Sequence, residues 1–438
     1  MARKQTGTFW KRLQDIGPAI VVAAVVLGPG SIVGASSVGC QYGLLLWWVV
    51  PLAGILMIGM TASAMMVGVM HRETPVQSVA RAFGRPAALV IGIMMLVAIT
   101  LFQASNNNAM LMAIEGFWGS ETASPGWLRW MVLGAVNALV IALVCWGRDD
   151  LYRWVERSMM VLVGVMVLAF ATSLVFSLLP NQTDEMKSAP TATDRVVESN
   201  QLAEREVASE SESPAPLPIG WMNVIALIAT TFSVAGAFYQ AYQVREKGWT
   251  PRDLQTGMID CVVGIGTLTV LTLMVLATAA ISLHGRIRAE ELNSAADVAL
   301  ALRPLFGASA QYVFAIGILA GALSSFLVNA MIGGVVFADA CNLGDRISSK
   351  AVRAMTILTL VLGAIVSTSA WAMSMDLTDF IVVAQALTVL ALPALAAVIL
   401  WRLHAIDHRA RPWWLVALAW IGLIVLIAVM TRTVVRII

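Results

Sequence analysis

Eleven stretches of this chain are apolar over about 20 residues, the length a helix needs to cross a bilayer. They lie at roughly 17–38, 44–70, 87–114, 130–147, 156–179, 220–243, 258–283, 309–340, 351–371, 378–401 and 413–435. Hydrocarbon offers no water to peptide groups, so segments of this kind are restricted to helices that close their own hydrogen bonds. The expected fold class is an all-α membrane protein with about eleven transmembrane helices. Composition agrees. Of 438 residues, 59% are apolar and 12% charged, against about 45–50% and about 25% in a typical soluble domain.

The first stretch carries an exception. Gly28-Pro29-Gly30-Ser31 interrupts the apolar run that ends at Leu27 and resumes at Ile32. Broken helix is tolerated at membrane depth only where protein buries it or it lines a polar cavity. Such interruptions point to a transporter's substrate site. This patch carries no charge. A weaker counterpart opens the sixth stretch, in Ser233-Val-Ala-Gly-Ala-Phe-Tyr-Gln240. There Gly236, with Ser233 nearby, weakens a helix without a proline to enforce the break.

Between the two halves lies one long loop, with eight acids between Asp184 and Glu212 and three bases, Lys187, Arg195 and Arg205. Its Ser, Thr and Pro content suits a solvated external linker. The expected organisation is a five-helix unit over 1–180, the acidic loop over 181–219, a second unit over 220–402 and an additional helix over 403–438. With the N-terminus in the cytoplasm, 19 of the 28 Lys and Arg fall in inside segments. That bias places the C-terminus outside. Cys40, Cys145, Cys261 and Cys341 are scattered in or beside apolar stretches and read as small core residues. The expected surroundings are a lipid bilayer. No cofactor and no nucleic acid are implied, and the oligomeric state is left open.

Several motifs carry a resemblance. Gly17-Pro18-Ala19, Gly28-Pro29-Gly30, Gly39-x-x-x-Gly43 and Leu46-Trp47-Trp48-Val49-Val50 stand in order at the start. Arg303-Pro304-Leu305-Phe306, Val313-Phe314, Ala320-Gly-Ala-Leu-Ser-Ser325 and Gly333-Gly-Val-Val-Phe337 follow in the second half. Together they resemble the NRAMP family of divalent-metal transporters, over nearly the whole chain outside the long loop. The resemblance implies a LeuT-type fold of two inverted five-helix repeats in a bacterial inner (plasma) membrane. It also places Asp260 and Gln385 where the family has an acid and a glutamine.

At the ligand positions the chain departs from that family. Gly28 and Ser31 replace the Asp and Asn of the first-helix motif. Gly236-Ala237-Phe238, or Ala237-Phe238-Tyr239 with a one-residue shift, replaces Met-Pro-His in the sixth helix. The third helix has Gln103-Ala-Ser-Asn-Asn-Asn108, amides where the family places acids of its proton route. The candidate substrate-binding residues are Gly28, Ser31, Asn106, Ser233, Gly236, Ala237, Tyr239 and Gln385, with Gln240 beside them. They are neutral oxygens and amides. Such donors suit a hydrated or monovalent ion, or a polar solute, better than Mn²⁺, which takes carboxylate, imidazole or thioether ligands. Mg²⁺ that keeps most of its waters remains compatible.

Asp260 is the best remaining proton carrier, although an ion pair with a base such as Arg353 is the preferred reading. Glu115 and Asp339 are expected at the interface. Asn106, Asn107 and Asn108 either bond between helices or line a hydrophilic path. The leading function is an NRAMP-like secondary transporter working by alternating access on a metal cation. Its rivals are a transporter of a non-metal polar solute and a non-transporting sensor or scaffold that kept the fold. The chain has no His-Glu-x-x-His and no Gly-x-Ser-x-Gly, so no enzyme is expected.

Overall fold

The computed structural model describes residues 28–115, 126–146, 219–285, 310–373 and 375–437. The fifth apolar stretch, nearly all of the acidic loop and the first stretch before Gly28 lie outside the described residues. What is described is helical. The first half comprises α1 (Pro29–Tyr42), α2 (Val49–Met70), the short α3 (Pro75–Phe83), α4 (Arg85–Glu115) and α5 (Gly126–Trp146). The second comprises α6 (Ile219–Thr231), α7 (Val234–Glu246), α8 (Leu254–Ser282), α9 (Ala310–Ala340) and α10 (Lys350–Ala372), then α11 (Leu377–Thr388), α12 (Leu392–His404) and α13 (Trp413–Ile437). Among the described residues, nine stretches are long and apolar enough to cross a membrane.

Two of those nine are interrupted. The stretch from Trp221 to Glu246 breaks at Phe232 and Ser233, between α6 and α7. That is three residues before Gly236, which lies inside α7. No proline or glycine stands at the break. The fully buried Phe232 ring reaches α13 where Gly422 has no side chain, and a Cβ there would lie 2.8 Å from Phe232 Cζ. The stretch from Leu377 to His404, expected as one helix, breaks between α11 and α12. Pro393 accounts for it. Proline has no N–H to give, and its ring clashes with the carbonyl four residues back, that of Val389.

Packing sorts the helices into two bodies. In the first, α8 and α6 lie on α1, while α7 and α8 lie on α2. In the second, α9, α10 and α11 surround α4, and α5 lies on α10. Fewer contacts cross between them, chiefly α6 and α1 against α11. Inside a bilayer the apolar effect gives helices little reason to associate, so close backbone approach at small residues does much of the work. Gly68 on α2 is such a point, since a Cβ there would lie 2.4 Å from the Ala241 carbonyl oxygen of α7. Gly333 and Gly334 serve the same purpose on α9, against Thr359 and Thr356 of α10.

Polar side chains inside the fold mostly bond between helices. Asn137 Nδ2 of α5 donates to Asn107 Oδ1 at 2.9 Å. Trp371 Nε1 and Ser367 Oγ of α10 donate to Asn108 Oδ1 at 2.6 and 3.2 Å. Glu115 pairs with Arg129 at 2.8 Å. Asp339, at the end of α9, is buried inside the protein. It is 3% exposed, because neighbouring hydroxyl and amide donors supply what water would. At the same end of the molecule, His71 Nε2 donates to the Arg402 carbonyl at 3.0 Å. Burial holds the His71 imidazole below its ordinary pKa, against the raising effect of that hydrogen bond.

Gly68→Ala tests the packing. The new methyl meets backbone that cannot turn aside, and overpacking of this kind costs about 1–3 kcal/mol. The variant is expected to melt several degrees lower in a detergent thermal-shift assay. Gly134→Ala, where a Cβ meets nothing within 4 Å, is expected to melt at or above the parent temperature.

Candidate functional site

The start of α1 and the break between α6 and α7 meet at one small cavity. Gly28, Gly30 and Ser31 line it from the start of α1, Thr230 from the end of α6 and Ser233 from the start of α7. Phe102 of α4, Ser325 and Asn329 of α9, and Gln385 of α11 close it. Its volume is about 10 Å³, measured as the space open to the centre of a water-sized sphere. That is room for about one water. No lining side chain is charged.

Local sequence explains the α1 side. Gly28 caps the helix in an extended conformation, φ −86° and ψ 177°, and Pro29 takes the first helical position, where its missing N–H costs nothing. Ser31 Oγ donates to the Gly28 carbonyl at 2.9 Å. Gly30 exposes bare backbone, on which Gln385 lies. A Cβ at Gly30 would sit 2.6 Å from Gln385 Cδ. Gln385 Nε2 donates to Ser105 Oγ at 2.9 Å, which leaves its buried Oε1 without a partner.

On the α9 side, Asn329 Nδ2 donates to Ser325 Oγ at 2.9 Å, one helical turn away. Asn106 Nδ2 reaches the same hydroxyl at 3.3 Å from behind. Thr230 Oγ1 donates back along α6 to the Ala226 carbonyl at 2.9 Å. The helix ends present opposite partial charges. The N-termini of α1 and α7 offer N–H groups, and the C-terminus of α6 offers carbonyls.

Of the residues expected from sequence, Gly28, Ser31, Ser233 and Gln385 line the cavity together. Asn106 stands one layer back, bonded to Ser325. Gly236, Ala237 and Tyr239 are buried within α7 and do not line it. The sixth-stretch break falls earlier than Gly236, which is why the cavity takes Ser233 instead. Phe102, Thr230, Ser325 and Asn329 were not singled out as site residues. The spacing of Ser325 and Asn329, four apart in an apolar stretch, is a one-face polar signal that could have found them.

Asp260 and Arg353 are not brought together. Asp260 is buried on α8, which packs on α1 and α2, and has contacts of its own. Arg353 is exposed on α10, in the other body. Among the described residues, no group of three or more His, Cys, Asp or Glu could hold a metal ion.

Comparison with known proteins sets this geometry in context. A divalent metal cation transporter MntH of Verminephrobacter eiseniae is 24% identical over 390 residues, 88% of this chain and 80% of that protein. The MntH of Deinococcus radiodurans is 21% identical over 333 residues, 74% and 68% of the two. A solved structure of the Eremococcus coleocola manganese transporter superposes with a TM-score of 0.70 at 14% identity, over 98% of this chain and 88% of that one. At that identity the likeness establishes the fold, which is LeuT-type. The family model for natural resistance-associated macrophage protein-like (Nramp) proteins matches residues 19–436, and the chain belongs to the NRAMP family.

Proposed function

We propose that this protein is a secondary transporter that carries a divalent cation across the membrane by alternating access through the cavity at Gly28, Ser233 and Gln385. One observation carries the reading. The cavity lies where the start of α1 and the break between α6 and α7, all of one packing body, face α4, α9 and α11 of the other. Broken helices expose backbone groups to a substrate, and two bodies joined by sparse contacts can rock about it. Curated relatives named as divalent metal cation transporters support the substrate class.

The donor set favours a cation that keeps part of its water. Ser31, Ser233, Ser325, Thr230, Asn329 and Gln385 Oε1 are neutral, and the α6 carbonyls add only partial charge. Stripping a divalent ion bare among such groups is very unfavourable. Mg²⁺ dehydrates reluctantly and is commonly held through its waters. Room for one water is too little for a hydrated ion, so the closed cavity must widen to load. A non-metal polar solute is the second reading, and the two N–H helix ends at α1 and α7 favour it, since they attract negative rather than positive groups.

The organisation proposed from sequence goes with this function. Units over 1–180 and 220–402 would form the inverted repeats, with 181–219 as an external loop and 403–438 as an added helix. The N-terminus would be cytoplasmic and the C-terminus external, in a bacterial inner membrane. Asn106 bonds to Ser325 of α9, Asn107 to Asn137 of α5, and Asn108 to Ser367 and Trp371 of α10, all neutral partners, so transport is proposed to run without a proton coupled through these amides.

Uptake into liposomes tests the substrate. Mg²⁺ is expected to enter faster than Mn²⁺, at a rate that an imposed pH gradient does not change. Flux of a polar organic solute alone would favour the second reading, and no flux of any solute would leave a sensor or scaffold. A second test restores charge. The extended backbone of Gly28 is open to any L-residue, so Gly28→Asp with Ser31→Asn is expected to tighten Mn²⁺ binding at least tenfold by calorimetry. Unchanged binding by the folded double variant would count against this cavity as the cation site.

A further inference from the structure

One buried carboxylate plays no part in the cavity. Asp339 lies next to the end of α9, and both its oxygens accept hydrogen bonds. Oδ2 accepts from Tyr242 Oη at 2.8 Å and from Thr74 Oγ1 at 2.5 Å. Oδ1 accepts from Gln77 Nε2 at 3.0 Å. Thr74 and Gln77 also cap α3 with reciprocal bonds, which fixes both donors in place. Tyr242 and Thr74 are as buried as Asp339, at 4% and 0% exposed. Hydrogen bonds to a charged acceptor in a water-poor site are the strong kind.

One of these bonds crosses between the two packing bodies, while Thr74 and Gln77 at the start of α3, which packs on α4 and α9, hold the carboxylate from its own side. Tyr242 belongs to α7, which packs on α2, whereas Asp339 belongs to α9, which packs on α4 and α10. The same two helices wall the cavity higher up, through Ser233 on one and Ser325 and Asn329 on the other. Ser233 to Tyr242 is nine residues of helix, about 14 Å at 1.5 Å per residue. The bonded end also carries Arg72, Arg245, Lys247, Arg346, Lys350 and Arg402, the basic end of the molecule.

Between cavity and carboxylate, α7 holds Gln240. It is fully buried, and neither its Oε1 nor its Nε2 has a partner. An unpaired amide in a dry interior is costly and is relieved by water. A path opened along α7 would supply that water. The closed arrangement thus contains a group that favours opening and, two residues on, a set of bonds that opposes it.

We propose that Asp339, with Tyr242, Thr74 and Gln77, is a latch that holds the cavity shut toward the basic end. Its release lets α7 part from α9 and hydrates Gln240 as the route opens. The latch rests on the alternating-access reading, and its test reads conformation instead of flux, so the two fail separately.

The test uses spin labels on Glu246→Cys, the exposed last residue of α7, and Ser348→Cys, exposed in the loop after α9. The four native cysteines are replaced by alanine, and distances are read by pulsed electron resonance in nanodiscs. The parent is expected to give one short distance. Tyr242→Phe, which keeps the carboxylate and its other two donors, is expected to raise the population of a longer distance roughly tenfold, the effect of one lost bond to a charged acceptor. Asp339→Asn is expected to raise it further. Superimposable distributions in parent and folded Tyr242→Phe overturn the latch, whatever the protein transports. If Asp339→Asn does not fold, Tyr242→Phe decides alone.

Discussion

The structure depends on one constraint, that a peptide group in hydrocarbon must find its hydrogen bond inside the protein. Continuous helices such as α4 and α9 satisfy it trivially. The helix start at Gly28 and the interruptions at Phe232–Ser233 and before Pro393 do not, and each survives because other helices surround it. The start at Gly28 and the break at Ser233 share one cavity, and the break before Pro393 lies just past Gln385, which reaches that cavity from the end of α11. Backbone that cannot close its own bonds is thereby gathered where a polar substrate could complete them. The site is a consequence of how the helices fail, as much as of which side chains they carry.

The same constraint shapes the polar interior. Buried amides and hydroxyls bond across helices, as Asn107 does with Asn137 and Asn108 with Trp371. These pairs tie α4 to α5 and α10 and stiffen one body. Gln385 and Ser105 add a further link within that body near the cavity, whereas Tyr242 and Asp339 bond from one body to the other near the basic end. A joint with few strong bonds can hold one arrangement and still release it, whereas one knit by many apolar contacts could not be released in steps.

Much of this was legible in the sequence where the cause is local. Gly28-Pro29-Gly30 announces its break because proline and glycine act through their own backbone. The family follows from motifs spread along the chain. The second break falls at Phe232–Ser233, three residues before the glycine that weakens the helix in the sequence, and the Phe232 ring there packs against Gly422, nearly two hundred residues away. The third break was missed although Pro393 stood in view, since proline in a membrane helix often bends it without ending it. The end of an apolar stretch is where Asp339 stands in the sequence, but its burial there depends on donors from segments far away in the chain. Ser325 and Asn329 were overlooked as a site because a polar pair one turn apart also serves simple packing.

The absence of charge from the lining changes what selectivity can rest on. In a site built from carboxylate and thioether, ligand chemistry chooses the ion. Here hydroxyl, amide and carbonyl oxygens differ little in softness, and the helix ends around them partly cancel, two presenting N–H groups and one presenting carbonyls. What distinguishes one ion from another at such a site is how readily it gives up water and how well its remaining shell fits. An ion that holds its shell firmly is recognised through its waters by groups that both donate and accept. Ser31, Ser233, Ser325 and Asn329 are of that type. Selectivity would then reside in the size of the loaded cavity, set by how far the two bodies part. In such a transporter the bonds that govern opening, remote from the cavity, also help to choose the substrate.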